Sequence, residues 1–289
     1  MGYSGRYHAT SLIAVFLALA IGMVIGAALG GDTIDDTRKD LERSLTGNLE
    51  DARERADELN GELARAEEFG SRVYPILARN QLQGQRIGVV ALGGLPGDVS
   101  DSIEEALAPT GGRLVGVGVV REPVDLQALG DDLSKTRFAD VAGDPDTQTE
   151  FGVGVGRQLV LGGTLLERVR SRLFSRASGN FGGLDAVIVV RDQPGDMGPL
   201  QRSTAGRIES GLTEGITATR APAVGVESSG SDDSSVSFFQ GNDLSSVDNV
   251  DLVAGQLATV FALLGAEGSF GVKGSADRLL PDLLAPRQP

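Results

Sequence analysis

The residues able to do chemistry in this chain are few, and their types exclude more than they permit. There is no cysteine, which rules out a thiolate nucleophile, a thiolate metal site and a disulfide. His8 is the single histidine and borders an apolar run, a position that suits an interfacial residue better than a ligand or base. Nucleophilic catalysis of the Ser–His kind is therefore excluded beyond it. A Ser–Lys pair would have to use Lys135 or Lys273, and the residues around them do not suggest one. The turn Gly93-Gly94-Leu95-Pro96-Gly97 stands where an open α/β sheet binds ligands, at the end of a strand and before a helix. It lacks dinucleotide spacing and a phosphate-loop lysine, so it reads as a tight strand-to-helix connection. Gly152-Val153-Gly154-Val155-Gly156 is glycine-rich with no convincing strand before it. Asp144, Asp146 and Glu150 offer the oxygens calcium prefers but not the loop glycine or the remaining ligands, and read as a solvated acidic loop. Asp243, Asp248 and Asp251 invite an acid–base reading. A helix N-cap at Asp248 or Asn249 is simpler. No catalytic, cofactor-binding or metal-binding residue is assigned, and no enzyme is expected.

The elements that would position these residues alternate between short apolar runs and helical stretches. Arg86–Leu92, Arg113–Val120, Leu184–Val190 and Pro222–Val226 read as strands, with Ser235–Gln240 a weak fifth. Val99–Ala108 with Asp98 as cap, Gln158–Phe174, Met197–Thr217 and Val250–Leu264 read as helices. The stretches 121–150 and 227–235 are polar loops. This alternation predicts an α/β domain built on a mainly parallel sheet.

Before that domain lies a different kind of sequence. No charge occurs between His8 and Asp32, and Leu12–Leu29 is apolar apart from two glycines. At about 1.5 Å per residue, about 20 such residues span a hydrocarbon core of roughly 30 Å. A cleavable leader ending near Ala28-Leu29-Gly30 is the competing reading, but the run exceeds the usual signal core, which favours an uncleaved transmembrane helix. The short leader favours a cytoplasmic N-terminus and an extracytoplasmic bulk. Ala14, Ala18, Gly22, Gly26 and Gly30 recur at every fourth position and form a stripe on which a second helix can pack. Gly30-Gly31 should loosen the helix, and Asp32 or Thr33 should cap a new one.

The next segment carries a heptad pattern. Leu45, Ala52, Leu59, Ala66 and Val73 form one series; Leu49, Ala56, Leu63, Gly70 and Leu77 form the other. Charged residues fill the outer positions from Glu50 to Glu68, as in a coiled coil that ends at Tyr74-Pro75. The alternative is one amphipathic helix packed on the chain's own domain; two adjacent self-association signals favour a homodimer. The expected division is a membrane anchor at 1–31, a coiled-coil stalk at 32–81, an extracytoplasmic α/β domain at 82–275 and a tail at 276–289. A net charge of −14 argues against nucleic acid as a partner and leaves the membrane, a second copy and another envelope protein as candidates.

Two stretches carry a family likeness. The opening Arg6-Tyr7-His8-Ala9-Thr10-Ser11-Leu12-Ile13-Ala14-Val15-Phe16-Leu17-Ala18-Leu19-Ala20-Ile21-Gly22 is the first. The second comprises Ser245-Ser246-Val247-Asp248-Asn249-Val250-Asp251, Gly268-Ser269-Phe270-Gly271-Val272-Lys273 and Leu279-Leu280-Pro281. Both resemble the actinobacterial copper transporter MctB family, and the order of anchor, coil and α/β domain agrees across nearly the whole chain. The resemblance implies a role in copper transport or homeostasis and an outer-envelope location; no cofactor is expected otherwise, and copper is implied by the resemblance alone. Some relatives are instead linked to envelope integrity and division through a partner membrane protein, which implies the alternative of a dimeric scaffold that binds no copper. The residues themselves are poor in the donors copper selects: no Cys, one His, and Met1, Met23 and Met197.

Overall fold

The structure is a computed structural model of one chain and describes residues 4–282, with side chains described over 10–27 and 41–282. The first element, α1, is a continuous helix Ser4–Leu77 of 74 residues. It passes through Gly30-Gly31 without a break, contrary to the expected loosening and restart at Asp32 or Thr33. A glycine costs a helix only about 1 kcal/mol, and nothing in its backbone interrupts the ladder. Pro75 lies in the last turn rather than beyond it, two residues before the end. By internal contacts the chain divides into two units between Ala66 and Glu67. Thr10–Ala27 in the first unit is long and apolar enough to cross a membrane and is unburied in the single chain.

The second unit opens with the last turns of α1 and continues through β1 (Arg86–Gly93), α2 (Gly97–Leu107), β2 (Arg113–Val120), α3 (Leu126–Leu133), α4 (Pro145–Leu161) and α5 (Thr164–Leu173). Then come β3 (Phe174–Gly179), β4 (Ala186–Asp192), α6 (Pro199–Thr217), β5 (Ala223–Val226), α7 (Val236–Gly241), β6 (Ser245–Val247), α8 (Val253–Ala262) and β7 (Ser269–Phe270). The seven strands form one sheet in the order β3-β2-β1-β4-β5-β6-β7. Every pair is parallel except β2 with the edge strand β3.

Residue alternation along the central strands sends side chains to opposite faces, and both faces are covered. Val90, Leu92, Val187 and Val189 meet a core that includes Phe151, Val155, Ile208 and Leu212 of α4 and α6. Ile87, Val89, Ala91, Ile188 and Val190 meet Val99 and Ile103 of α2, Leu257 and Ala258 of α8, and Tyr74 of α1. Tyr74 Oη donates to the Ala106 carbonyl, and burial pushes its pKa well above the ordinary phenol value. Tyr74, Ala78 and Leu82 are buried in this core, so the α/β unit takes in sequence well before residue 82. At the other end, Arg278 bridges to Phe270 and Asp277 accepts from the Ser269 amide, so part of the expected tail belongs to the sheet.

Several expected elements are different. Gln158–Phe174 is two helices, broken where Gly162 takes φ 84° and Gly163 follows. The 121–150 stretch holds α3 and the start of α4. Ser235–Gln240 falls in helix α7, not a strand, because Phe239 is drawn onto the bare surface of Gly225 in β5. Strands β3, β6 and β7 carry polar residues or are very short, which hides them from hydrophobic periodicity.

The glycine-rich run 152–156 forms the middle of α4. Its Gly152 and Gly156 lie against Gly211 and Gly215 of α6, with Cα–Cβ approaches of 3.0–3.1 Å for the Cβ atoms that are missing. A side chain at any of the four would enter the partner helix's backbone. The spacing thus serves close helix contact rather than a ligand.

Candidate functional site

Because six of the strands run in parallel, their C-terminal ends lie along one edge of the sheet, and most of the unit's buried charge collects there. The strand order turns outward in both directions from β1 and β4, the crevice where sheets of this kind bind ligands. The Gly93–Gly97 turn is at this crevice, and the Gly94 amide donates to the Asp192 carbonyl at 2.7 Å. Gly93 takes φ 86°, and a Cβ there would run into Asp192 O and stand 3.0 Å from Glu122 Oε2. Helix α2 starts at Gly97, so Asp98 lies in its first turn rather than at its cap.

Four polar side chains close the crevice. Glu122 follows the end of β2, Arg191 and Asp192 end β4, and Glu209 projects from α6 with no exposed surface. Glu209 Oε2 accepts from Arg191 Nε at 3.0 Å and Gln193 Nε2 at 2.9 Å. The Arg191 guanidinium lies 4.5 Å from the centre of the Phe238 ring. No donor reaches Glu209 Oε1 or either oxygen of Glu122. Burial pushes the Glu122 carboxyl up to about 9; the charge of Glu209 pushes the same way, as does the hydrogen bond that a protonated Glu122 would donate to it, while Arg191 opposes them and Asp192 adds to them.

A second cluster follows β5, β6 and β7. Lys273 Nζ donates to Glu227 Oε1 at 2.6 Å and to the carbonyls of Ser228 and Ser231 at 3.2 Å each. Glu227 also accepts from Ser234 Oγ and the Ser235 amide. Asp248 is no helix cap: its carboxylate takes the amides of Val272 and Lys273 at 2.8 and 3.0 Å. Asn249 is no cap either, since Leu252 holds that position on α8 and the buried Asn249 amide has no partner. Asp251 accepts from the amide and hydroxyl of Ser229 at 2.6 Å each. Asp243 lies apart from Asp248 and Asp251, beside a polar cavity of about 660 Å³ at the opposite end of β5 and β6. The three aspartates therefore form no acid–base set. In this cluster every carboxylate is satisfied by donors that tie loops together, and the serines donate to those carboxylates rather than to a base.

The remaining acidic candidates are also structural. Asp144 caps α4, and hydrogen bonds from the Thr147 hydroxyl and amide hold its carboxyl below the usual range. Asp146 and Glu150 follow on the same helix, and among the described residues no group of three His, Cys, Asp or Glu side chains is placed to hold a metal. Sequence reading missed Glu122 and Glu209 because nothing local marks either: they meet only when β2 and α6 converge. The cue was topological, a glutamate two residues past an apolar strand.

In the first unit, Ala18, Gly22 and Gly26 line a shallow groove with Val15, Leu19 and Met23, and Ala14 is exposed on the same helix. Gly30 lies outside the residues whose side chains are described. Leu45, Leu49, Ala52, Ala56, Leu59, Leu63 and Ala66 are all exposed in the single chain, with Leu59 at 63 % and Leu63 at 57 %. Beyond Ala66 the helix docks on its own unit: Gly70 faces Val253 of α8, and Val73 is half-buried beside buried Tyr74.

Set beside known proteins, residues 3–281 match a family model described as copper transport outer membrane protein, MctB. A search of curated proteins finds no match.

Proposed function

The chain belongs to the MctB family of copper transport outer membrane proteins, and from that premise we propose that it serves copper transport as a membrane-anchored, non-enzymatic scaffold of two copies. The membrane helix anchors it with the N-terminus cytoplasmic, and the coil and α/β domain stand outside. The helices pair through Ala14, Ala18, Gly22, Gly26 and Gly30 in the membrane, and through the heptad seam beyond it. The observation that carries this reading is the row of leucines left bare on one heptad face, Leu45, Leu49, Leu59 and Leu63. Each Å² of such surface that a second copy covers is worth about 25 cal/mol.

A scaffold role, rather than that of a copper carrier, is favoured by the donor set. Soft copper(I) selects Cys and Met and copper(II) selects imidazole. The sequence has one His, no Cys and three Met, of which Met197 is buried just before α6 and Met23 lies in the apolar helix. Sedimentation of residues 33–289 tests the pairing: a dimer without the membrane helix supports it, and a monomer at high concentration refutes it. Copper titration of residues 67–289, which keep the core intact, tests the second point. Stoichiometric binding would make the α/β unit a carrier, and no binding favours the scaffold.

A further inference from the structure

Glu122 and Glu209 are, among the described residues, the place where buried carboxylate oxygens are left without any donor. Were both ionised, three buried oxygens of two interacting carboxylates would have no donor, and the guanidinium nearby, Arg191, is engaged with the fourth oxygen, Glu209 Oε2. An unpaired buried charge is far more costly than a neutral, hydrogen-bonded group. One proton corrects both faults, because it cancels a charge and supplies the missing donor. We propose that Glu122 is protonated at neutral pH and donates to the unpaired Oε1 of Glu209, and that this carboxyl–carboxylate bond is a pH-dependent clasp closing the crevice between β1 and β4.

The clasp joins distant parts of the chain. It ties the segment after β2 to α6, past the Gly93-Gly94 turn of β1 and the end of β4. The charged groups facing it are Arg191, which disfavours protonation, and Asp192, which favours it. On the side of α7, the Phe238 ring lies against the Arg191 guanidinium. Lys273 is bound to Glu227.

Glu122 holds its proton up to about pH 9, against an ordinary 4.5. A raised carboxyl pKa means that the folded chain binds the proton more tightly than the unfolded one. The clasp's stabilisation is complete below pH 4.5, and declines with rising pH until the folded carboxyl ionises near pH 9. Across that window this one proton raises the unfolding equilibrium constant by up to about tenfold per pH unit.

The experiment is an infrared titration of the full-length chain in detergent micelles from pH 5 to 10, following the carbonyl band of a protonated carboxylic acid. The band is expected at pH 7, to vanish with a midpoint near 9, and to be absent in Glu122→Gln, whose amide donates to Glu209 Oε1 without titrating. Urea unfolding of that variant should depend less on pH than that of the wild type. A folded wild type without the band at pH 7 overturns the proposal, as does a band unchanged in both Glu122→Gln and Glu209→Gln. Should Glu122→Gln not fold, the wild-type titration decides alone. The clasp does not depend on pairing or on copper, so its failure leaves the proposed function untouched.

Discussion

Single side chains at the sheet's C-terminal edge act by satisfying or failing to satisfy one another. Lys273 spends its ammonium on three acceptors, and Glu227 is saturated in return. Lys273→Met strips the cation from a carboxylate only 5 % exposed and is expected to cost on the order of 3 kcal/mol in urea unfolding. The double variant Glu227→Gln with Lys273→Met removes both charges and should recover more than half of that loss. Equal losses in the single and double variants would show that packing of the lysine stem, not its charge, holds the loop.

Among the elements, the closest pairing is between α4 and α6, where four glycines let two backbones touch. Gly156→Ala or Gly215→Ala places a methyl inside the partner's backbone, and each should destabilise by at least about 1–3 kcal/mol. Gly206 is on α6 too, but a Cβ there has nothing within 4 Å. Gly206→Ala should therefore stabilise the chain by about 0.5–1 kcal/mol through helix propensity alone. Thermal unfolding of the three variants side by side checks both signs. Loss at Gly206 equal to that at Gly156 would mean that glycine flexibility, not helix contact, matters here.

For the molecule as a whole the question is whether two chains share the exposed leucines of α1. Leu59→Asp with Leu63→Asp places four carboxylates at the centre of the proposed seam, two from each copy. Sedimentation should shift from dimer to monomer, while the circular dichroism of the α/β unit stays unchanged because neither residue belongs to its core. A dimer that survives both substitutions would move the interface elsewhere.

Periodicity alone made much of this chain legible. The apolar helix, the parallel strands β1, β2, β4 and β5, and the helices α2, α6 and α8 follow from spacings of two or of three to four residues, which local sterics impose on any L-chain. The short strands β6 and β7 and the helix α7 did not, since two, three or six residues hold too little pattern to outweigh a neighbour such as Gly225 that asks for Phe239. Likewise, glycines 152–156 could be seen in the sequence, but their use could not, because it depends on Gly211 and Gly215, more than fifty residues away. Sequence by itself determined which chemistries lack their reagents, cysteine and histidine foremost. Only the tertiary structure brought Glu122 against Glu209, for a buried carboxyl pair is a property of convergence in space and leaves no trace in local spacing.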